Sequence, residues 1–149
     1  LVLRLWSHGV GMAKTPEVLL DWRERPERAS RQDPRYAEGA FRRCKVHYLM
    51  RTLLPTRDGV VVWGAGPVGK LFARELQRQD ARVRAFVDLD PRKIGQIVHG
   101  APVVSPRDVQ AYRDALCVAA VGQPNARAEI RAALDGPGWI ETQDYVVVA

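Results

Sequence analysis

The sequence predicts an α/β fold, a small parallel sheet with helices on both faces, preceded by a mainly helical N-terminal segment. Three observations carry this expectation. Apolar runs such as Val60–Trp63 and Leu116–Val121 are unbroken by polar residues, as in strands covered on both faces. Amphipathic stretches follow them, with apolar residues recurring every three or four positions, the period of a helix with one face in a core. The two textures alternate at short spacing, the order of strand and helix layers around a parallel sheet. At 149 residues the chain amounts to about one domain.

Gly39–Leu54 reads as a helix with Phe41, Cys44, Tyr48 and Leu49 on one side, docked on the sheet or on a second copy of the chain. It stops in Leu54–Gly59, a turn-rich join that divides residues 1–57 from residues 58–149. Val60–Trp63 is the first strand. Pro67–Gln79 is a helix, because Val68, Phe72 and Leu76 recur every four residues with Leu71 beside them, while Lys70, Arg74, Gln77 and Arg78 face away. Val83–Val87 is a second strand and Val103–Val104 a short third, with Ile94–Gly100 between them read as a loop. Ser105 caps a helix with Pro106 in its first turn, leading into Arg107–Asp114. A strand Leu116–Val121, a helix Asn125–Leu134 and a strand Tyr145–Val148 complete the order of a small Rossmann-like sheet.

Strand and helix meet at Gly64-Ala65-Gly66-Pro67-Val68-Gly69, which fits the dinucleotide fingerprint G-x-G-x-x-G. Its context fits too: an apolar strand before, a helix after, and Asp88 at the end of the next strand, nineteen residues past Gly69. In such a loop Gly64 makes the tight turn, Gly66 lets the backbone approach a pyrophosphate, and Gly69 permits close helix-to-strand packing. The helix N-terminus adds unpaired N–H groups and a partial positive charge, so the expected ligand is a small-molecule diphosphate, NAD or a nucleotide-sugar. Asp88 is placed to accept from ribose hydroxyls and to oppose a 2′-phosphate, which favours NAD over NADP; Arg92 and Lys93 pull the other way. The expected binding residues are Gly64, Ala65, Gly66, Pro67, Val68, Gly69 and Asp88, joined by Gly122 and Gln123 at the carboxyl edge of the sheet. Asn125 reads as the cap of the following helix or as a further contact. Another account of the loop stays open: Gly64 and Gly69 suit a strand-to-helix turn without a ligand, with Asp88 merely ending a strand before the turn at Asp90–Pro91.

Composition narrows the classes. With 46% hydrophobic and 27% charged residues the chain lies outside the regime of intrinsic disorder. No apolar stretch approaches the ~18 residues of a membrane helix and no signal-peptide zones open the sequence, so no membrane span and a cytoplasmic location are expected. The net charge of +6 comes from 19 Arg and 4 Lys scattered through both halves, which does not make a nucleic-acid patch. Cys44 and Cys117 form neither a disulfide framework nor a metal cluster and read as buried thiols. His8, His47 and His99 stand alone, and there is no H-E-x-x-H, no paired-Cys zinc spacing and no G-x-S-x-G elbow, so neither catalytic nor metal-binding residues are expected. Asp21–Arg43, with seven Arg among three Glu and two Asp, reads as a solvated, salt-bridged linker.

Residues Val61–Lys70, Phe86–Asp90, Gly100–Val104 and Ala119–Gly122 together resemble the small Rossmann-like modules of bacterial polysaccharide pathways. These include the nucleotide-sugar-binding module at the front of sugar acyltransferases and CoA-binding-like relatives. The resemblance covers about 58–149 and implies that Gly64, Gly66, Gly69 and Asp88 hold a nucleotide portion. The first segment is similar to the tail of a family 2 glycosyltransferase. Leu1–Leu5 resembles the helix after that family's catalytic acidic pair, and Lys14–Arg23, continuing through Arg28 and Ser30, resembles the strand and arginine-bearing loop that close its active site. Arg25 stands where the family often has histidine. The resemblance implies that the nucleotide-binding half, the metal-binding aspartates and the base precede Leu1, as in a fragment, so that this stretch transfers no sugar itself. The expected function is a nucleotide- or nucleotide-sugar-binding domain of such a glycosyltransferase in cell-surface polysaccharide assembly. The alternatives are an NAD(P)-binding domain of an oxidoreductase whose catalytic groups come from a partner, and a structural oligomerisation domain. Apolar surface around Leu3, Leu5 and Trp6 is expected to favour pairing of two copies.

Overall fold

The computed structural model describes residues 2–21, 23, 25–28 and 32–149. Strands β1 (Val60–Trp63), β2 (Val83–Val87), β3 (Ile97–Val98), β4 (Ala101–Val104), β5 (Leu116–Ala119) and β6 (Tyr145–Val147) form one sheet in the order β3-β4-β2-β1-β5-β6. Pairing is parallel except between β3 and β4. Helices α1 (Val2–Ser7), α2 (Glu38–Thr52), α3 (Pro67–Arg78) and α4 (Ala126–Asp135) and a 3-10 helix (Pro106–Tyr112) surround it.

Alternation along the strands explains the two-sided burial. Val60, Val62, Phe86, Leu116 and Val118 point to one face, where Phe72, Ala73 and Leu76 of α3 and Val46 and Leu49 of α2 meet them. Val61, Trp63, Ala85, Cys117, Ala119 and Tyr145 point to the other, against Val109 of the 3-10 helix, Ile130 and Leu134 of α4, and Trp139. Every residue of β1 and β5 is buried, which is why these strands read as continuous apolar runs. Burying a side chain such as Leu76 in one layer or Leu134 in the other contributes about 1.5–3 kcal/mol. From β1 the chain passes through α3 to β2 on one side and later reaches β5 on the other. The strand order therefore reverses at β1, and a crevice opens at its carboxyl end.

Several elements depart from the sequence reading. The strand expected at Val103–Val104 begins at Ala101 (β4), the one expected to reach Val121 stops at Ala119 (β5), and the one expected to reach Val148 stops at Val147 (β6). The helix after Ser105 is 3-10, closed by a capping box in which Ser105 accepts from the Arg107 N–H and Asp108 accepts from the Ser105 N–H. Ile94–Gly100 is not all loop: Ile97 and Val98 pair antiparallel with Pro102 and Ala101. The two-residue turn of this hairpin, His99 and Gly100 at φ 49° and 80°, has the left-handed pair of a type I′ turn without its usual Asn-Gly signature. Residues 14–21 form no strand, and Val18, Leu19 and Leu20 are exposed; Leu1, Trp22 and Ser30 lie outside the described residues. Among the described residues no helix is long and apolar enough to cross a membrane.

Of the residues expected on the docked side of α2, Leu49 is buried, Tyr48 is half-buried, and Phe41 and Cys44 are exposed. Val46 and Leu49 sit in the sheet core, with Met50 and Leu53 against it, while Phe41 is 52% exposed and Cys44 is exposed. Phe41 rests beside the Tyr36 ring (6.1 Å) before the helix reaches the sheet. Of the two cysteines only Cys117 is buried, and burial pushes its thiol up to about 12. Lys45 Nζ donates to the carbonyl of Val148 (2.6 Å), tying α2 to the chain just past β6. Leu49→Ala is expected to lower unfolding stability by about 2–3 kcal/mol through the cavity it leaves. Phe41→Ala is expected to change it by no more than about 0.5 kcal/mol. Urea titration of the two variants checks which side of α2 is docked.

Candidate functional site

β1 leads directly into the glycine loop. Gly64 stands at φ +110° and donates its N–H to the Val87 carbonyl (2.7 Å); a Cβ there would come within 2.7 Å of Val121 Cγ2 and 3.0 Å of the Ala120 carbonyl oxygen. Gly66 is the N-cap of α3 and Pro67 its first residue, which costs nothing because proline's missing N–H would have lacked a helical acceptor. The first amide to bond back is Lys70, to the Gly66 carbonyl (2.9 Å). The N–H groups of Gly66 and Val68 are thus left without a helical acceptor at the positive end of α3. Gly69 is the tightest point: its Cβ would lie 1.7 Å from the carbonyl oxygen of Gly64. Gly66 is the opposite, with nothing within 4 Å of where a Cβ would stand.

A cleft of about 370 Å³ opens over this loop. Of the expected binding residues, Gly64, Gly66, Pro67, Val68, Asp88, Gly122 and Gln123 line it. Ala65 and Gly69 do not; they hold the loop from beneath, Ala65 being 2% exposed. The sequence reading left out Trp63, Val87, Leu89, Ala120 and Val121, which complete the walls. Trp63 is the residue just before the fingerprint, a position that pattern matching treats as strand core. Asn125 lies outside the lining, and although it is the N-cap of α4 it stands in the left-handed region (φ 65°) and makes no side-chain cap bond.

Asp88 is engaged by the protein itself. Its Oδ2 accepts from the Ala65 N–H (2.8 Å) and from Lys93 Nζ (3.0 Å), and its Oδ1 accepts from the Asp90 N–H (2.9 Å). Burial works to raise its pKa, but the bonds from Asp90, Lys93 and Ala65 outweigh that and hold the carboxyl below its ordinary value. Three of roughly four acceptor positions are taken. Asp88 is therefore a latch that fixes the loop backbone, with about one acceptor position left over. Of the two cations flagged nearby, Lys93 lines the cleft, whereas Arg92 is paired with Asp90 (3.1 Å) and its side chain is 88% exposed.

Among the described residues nothing else gathers into a reactive set. Asp88 and Lys93 are the ionisable groups of the lining, and they pair with each other. His99 belongs to the β3–β4 turn; burial and the nearby charges of Arg74 and Lys70 lower its pKa. No group of three or more His, Cys, Asp or Glu that would hold a metal occurs among the described residues.

No known family profile matches the sequence, and no curated protein matches it. Among solved structures, the chain is similar to RSP, a Rex-family repressor, at 14% identity with TM-score 0.51, over 68% of this chain and 56% of that one. It is also similar to the UDP-D-quinovosamine 4-dehydrogenase of Vibrio fischeri, at 17% identity with TM-score 0.52, over 62% and 79%. The chain thus spans just over half the length of the repressor. Identities this low speak for the fold alone, and the fold is Rossmann-like: a six-stranded, mostly parallel sheet with helices on both faces.

Gly69→Ala is expected to cost about 3 kcal/mol or more of stability, since the new methyl meets backbone and not a flexible side chain. Gly66→Ala, at φ −84° with open space, is expected to fold within about 0.5 kcal/mol of the parent. Thermal unfolding of the pair separates the two glycines. Because the folded pKa of Asp88 is lowered, its stabilisation is fully present above an unfolded value of about 3.9 and is lost as pH falls through the folded value. The stability gap between the parent and Asp88→Asn, measured in urea, is expected to be wide at neutral pH and to shrink below about pH 4.

Proposed function

We propose that this chain holds the diphosphate of a small nucleotide ligand, NAD or a nucleotide-sugar, at its glycine loop, and that it catalyses nothing alone. In this reading it is the nucleotide-binding module of a family 2 glycosyltransferase in cell-surface polysaccharide assembly. The carrying observation is the open space over Gly66 beside the unpaired amides of Gly66 and Val68, all within the cleft at the reversal of strand order. Such a site offers an anion fixed donors and a favourable dipole without a side chain in the way. The absence of a general acid, base or nucleophile from the lining, apart from the mutually paired Asp88 and Lys93, supports binding without chemistry. The glycosyltransferase context rests on the likeness of Leu1–Leu5, and of Lys14–Arg23 continuing through Arg28 and Ser30, to the helix and to the strand and arginine-bearing loop of that family's active site.

A second reading, the NAD(P)-binding domain of an oxidoreductase completed by a partner, is favoured by Asp88 Oδ1. That oxygen accepts a single N–H and keeps capacity for a ribose hydroxyl.

Calorimetric titration with NAD, NADP, CoA and UDP-glucose distinguishes them. UDP-glucose binding that weakens about tenfold or more in Gly66→Ala is the expected result, the loss of charge-assisted bonds from the loop amides to phosphate. Tight NAD binding abolished in Asp88→Ala favours the oxidoreductase reading. Silence toward every ligand defeats both and leaves an oligomerisation domain.

A further inference from the structure

Trp63 ends β1 and is 3% exposed, and it lines the cleft. Its indole carries one donor and no acceptor. Among the described residues that N–H meets no acceptor, yet it is not sealed inside the protein as the indole nitrogen of Trp139 is, so it opens on the cleft. Packing does not call for an indole there. Val61, Ala85, Val87 and Ala119 fill the same face with hydrocarbon, and phenylalanine would serve the core without a donor that needs a partner.

Its position fixes which part of a ligand it would meet. The loop amides lie at the start of α3, and Asp88, Leu89 and Lys93 form the wall at the end of β2. Trp63 belongs to the core of the face opposite α3, together with Ala119 and Val121 at the end of β5. A ligand with its phosphates on the loop and its nucleoside toward β2 carries its remaining group across Trp63.

Resting on the proposed diphosphate site, we infer that the Trp63 indole N–H donates to an oxygen of a sugar ring attached beyond the diphosphate. The cleft thereby distinguishes ribosyl or glycosyl diphosphates from bare nucleoside diphosphates. Gln123, at the same wall, is placed to contact that sugar ring from outside.

The test titrates the parent chain, Trp63→Phe and Gly66→Ala with ADP, ADP-ribose, UDP and UDP-glucose. The parent is expected to bind at least one of the two sugar-bearing ligands about three- to tenfold more tightly than its nucleotide reference, the worth of one neutral hydrogen bond. ADP serves as reference for ADP-ribose, and UDP for UDP-glucose. Trp63→Phe is expected to erase that preference while leaving ADP affinity unchanged. In a nitrogen-15 spectrum of the parent, the Trp63 indole resonance, assigned from Trp63→Phe or by connectivity to the backbone, is expected to move with the sugar-bearing ligand and not with ADP. This readout stands even where the variant unfolds. A preference that survives in Trp63→Phe, or a resonance unmoved by every sugar-bearing ligand that binds, overturns the inference. If binding still weakens in Gly66→Ala under those outcomes, the diphosphate site itself stands. If no diphosphate binds the parent chain, both readings fall together.

Discussion

A helix can bring its N-terminus over the end of a strand only if nothing stands between their backbones. In this protein the separation is set by Gly69, whose missing Cβ would fall 1.7 Å from the Gly64 carbonyl oxygen. Gly64 is held in turn from its far side by Ala120 and Val121, which leave no room for a side chain and require its left-handed turn. Phe72 and Leu76 press α3 onto the sheet and keep that contact closed. These glycine contacts join α3, the end of β1 and the continuation of β5, so one steric constraint places the cleft floor and one of its walls.

Charge is arranged on the same scale. The Asp88 carboxylate gathers donors from the loop at Ala65, from its own turn at Asp90 and from the side chain of Lys93. An acidic strand end without such partners would repel any phosphate brought near it. Here Lys93 offsets that charge, and the dipole of α3 with the amides of Gly66 and Val68 dominates the floor. The latch and the open floor of the cleft are separate parts of one loop: Ala65 gives its N–H inward to Asp88, while Gly66 faces open space.

Most of the sheet was legible because strands covered on both faces leave an unbroken apolar trace. β1 and β2 have the bounds that their sequences predict, and the glycine fingerprint located the cleft. The parts that escaped did so for identifiable reasons. β3 is two residues long, holds an exposed isoleucine and faces Pro102, so it lacks alternation, length and an ordinary strand composition. On α2 several apolar residues spread around the helix, and which of them is buried depends on where the sheet and α3 lie, a tertiary fact that periodicity does not contain. Trp63 was hidden by its place in an apolar run; only the environment of one nitrogen atom separates it from its aliphatic neighbours. Asp88 lines the cleft as its spacing suggests, but three of its acceptor positions are spent on the protein, which no spacing rule conveys.

The hairpin of β3 and β4 bears on how one edge of the sheet is closed. A parallel sheet finishing at β4 would present a row of unpaired amides and carbonyls to any extended chain in solution. Instead β4 turns back on itself through His99 and Gly100, and the last rung is a two-residue strand reversed in direction, opposite a proline. An incoming strand finds there too few hydrogen bonds to take register, so this flank is poorly suited to seeding fibrillar growth.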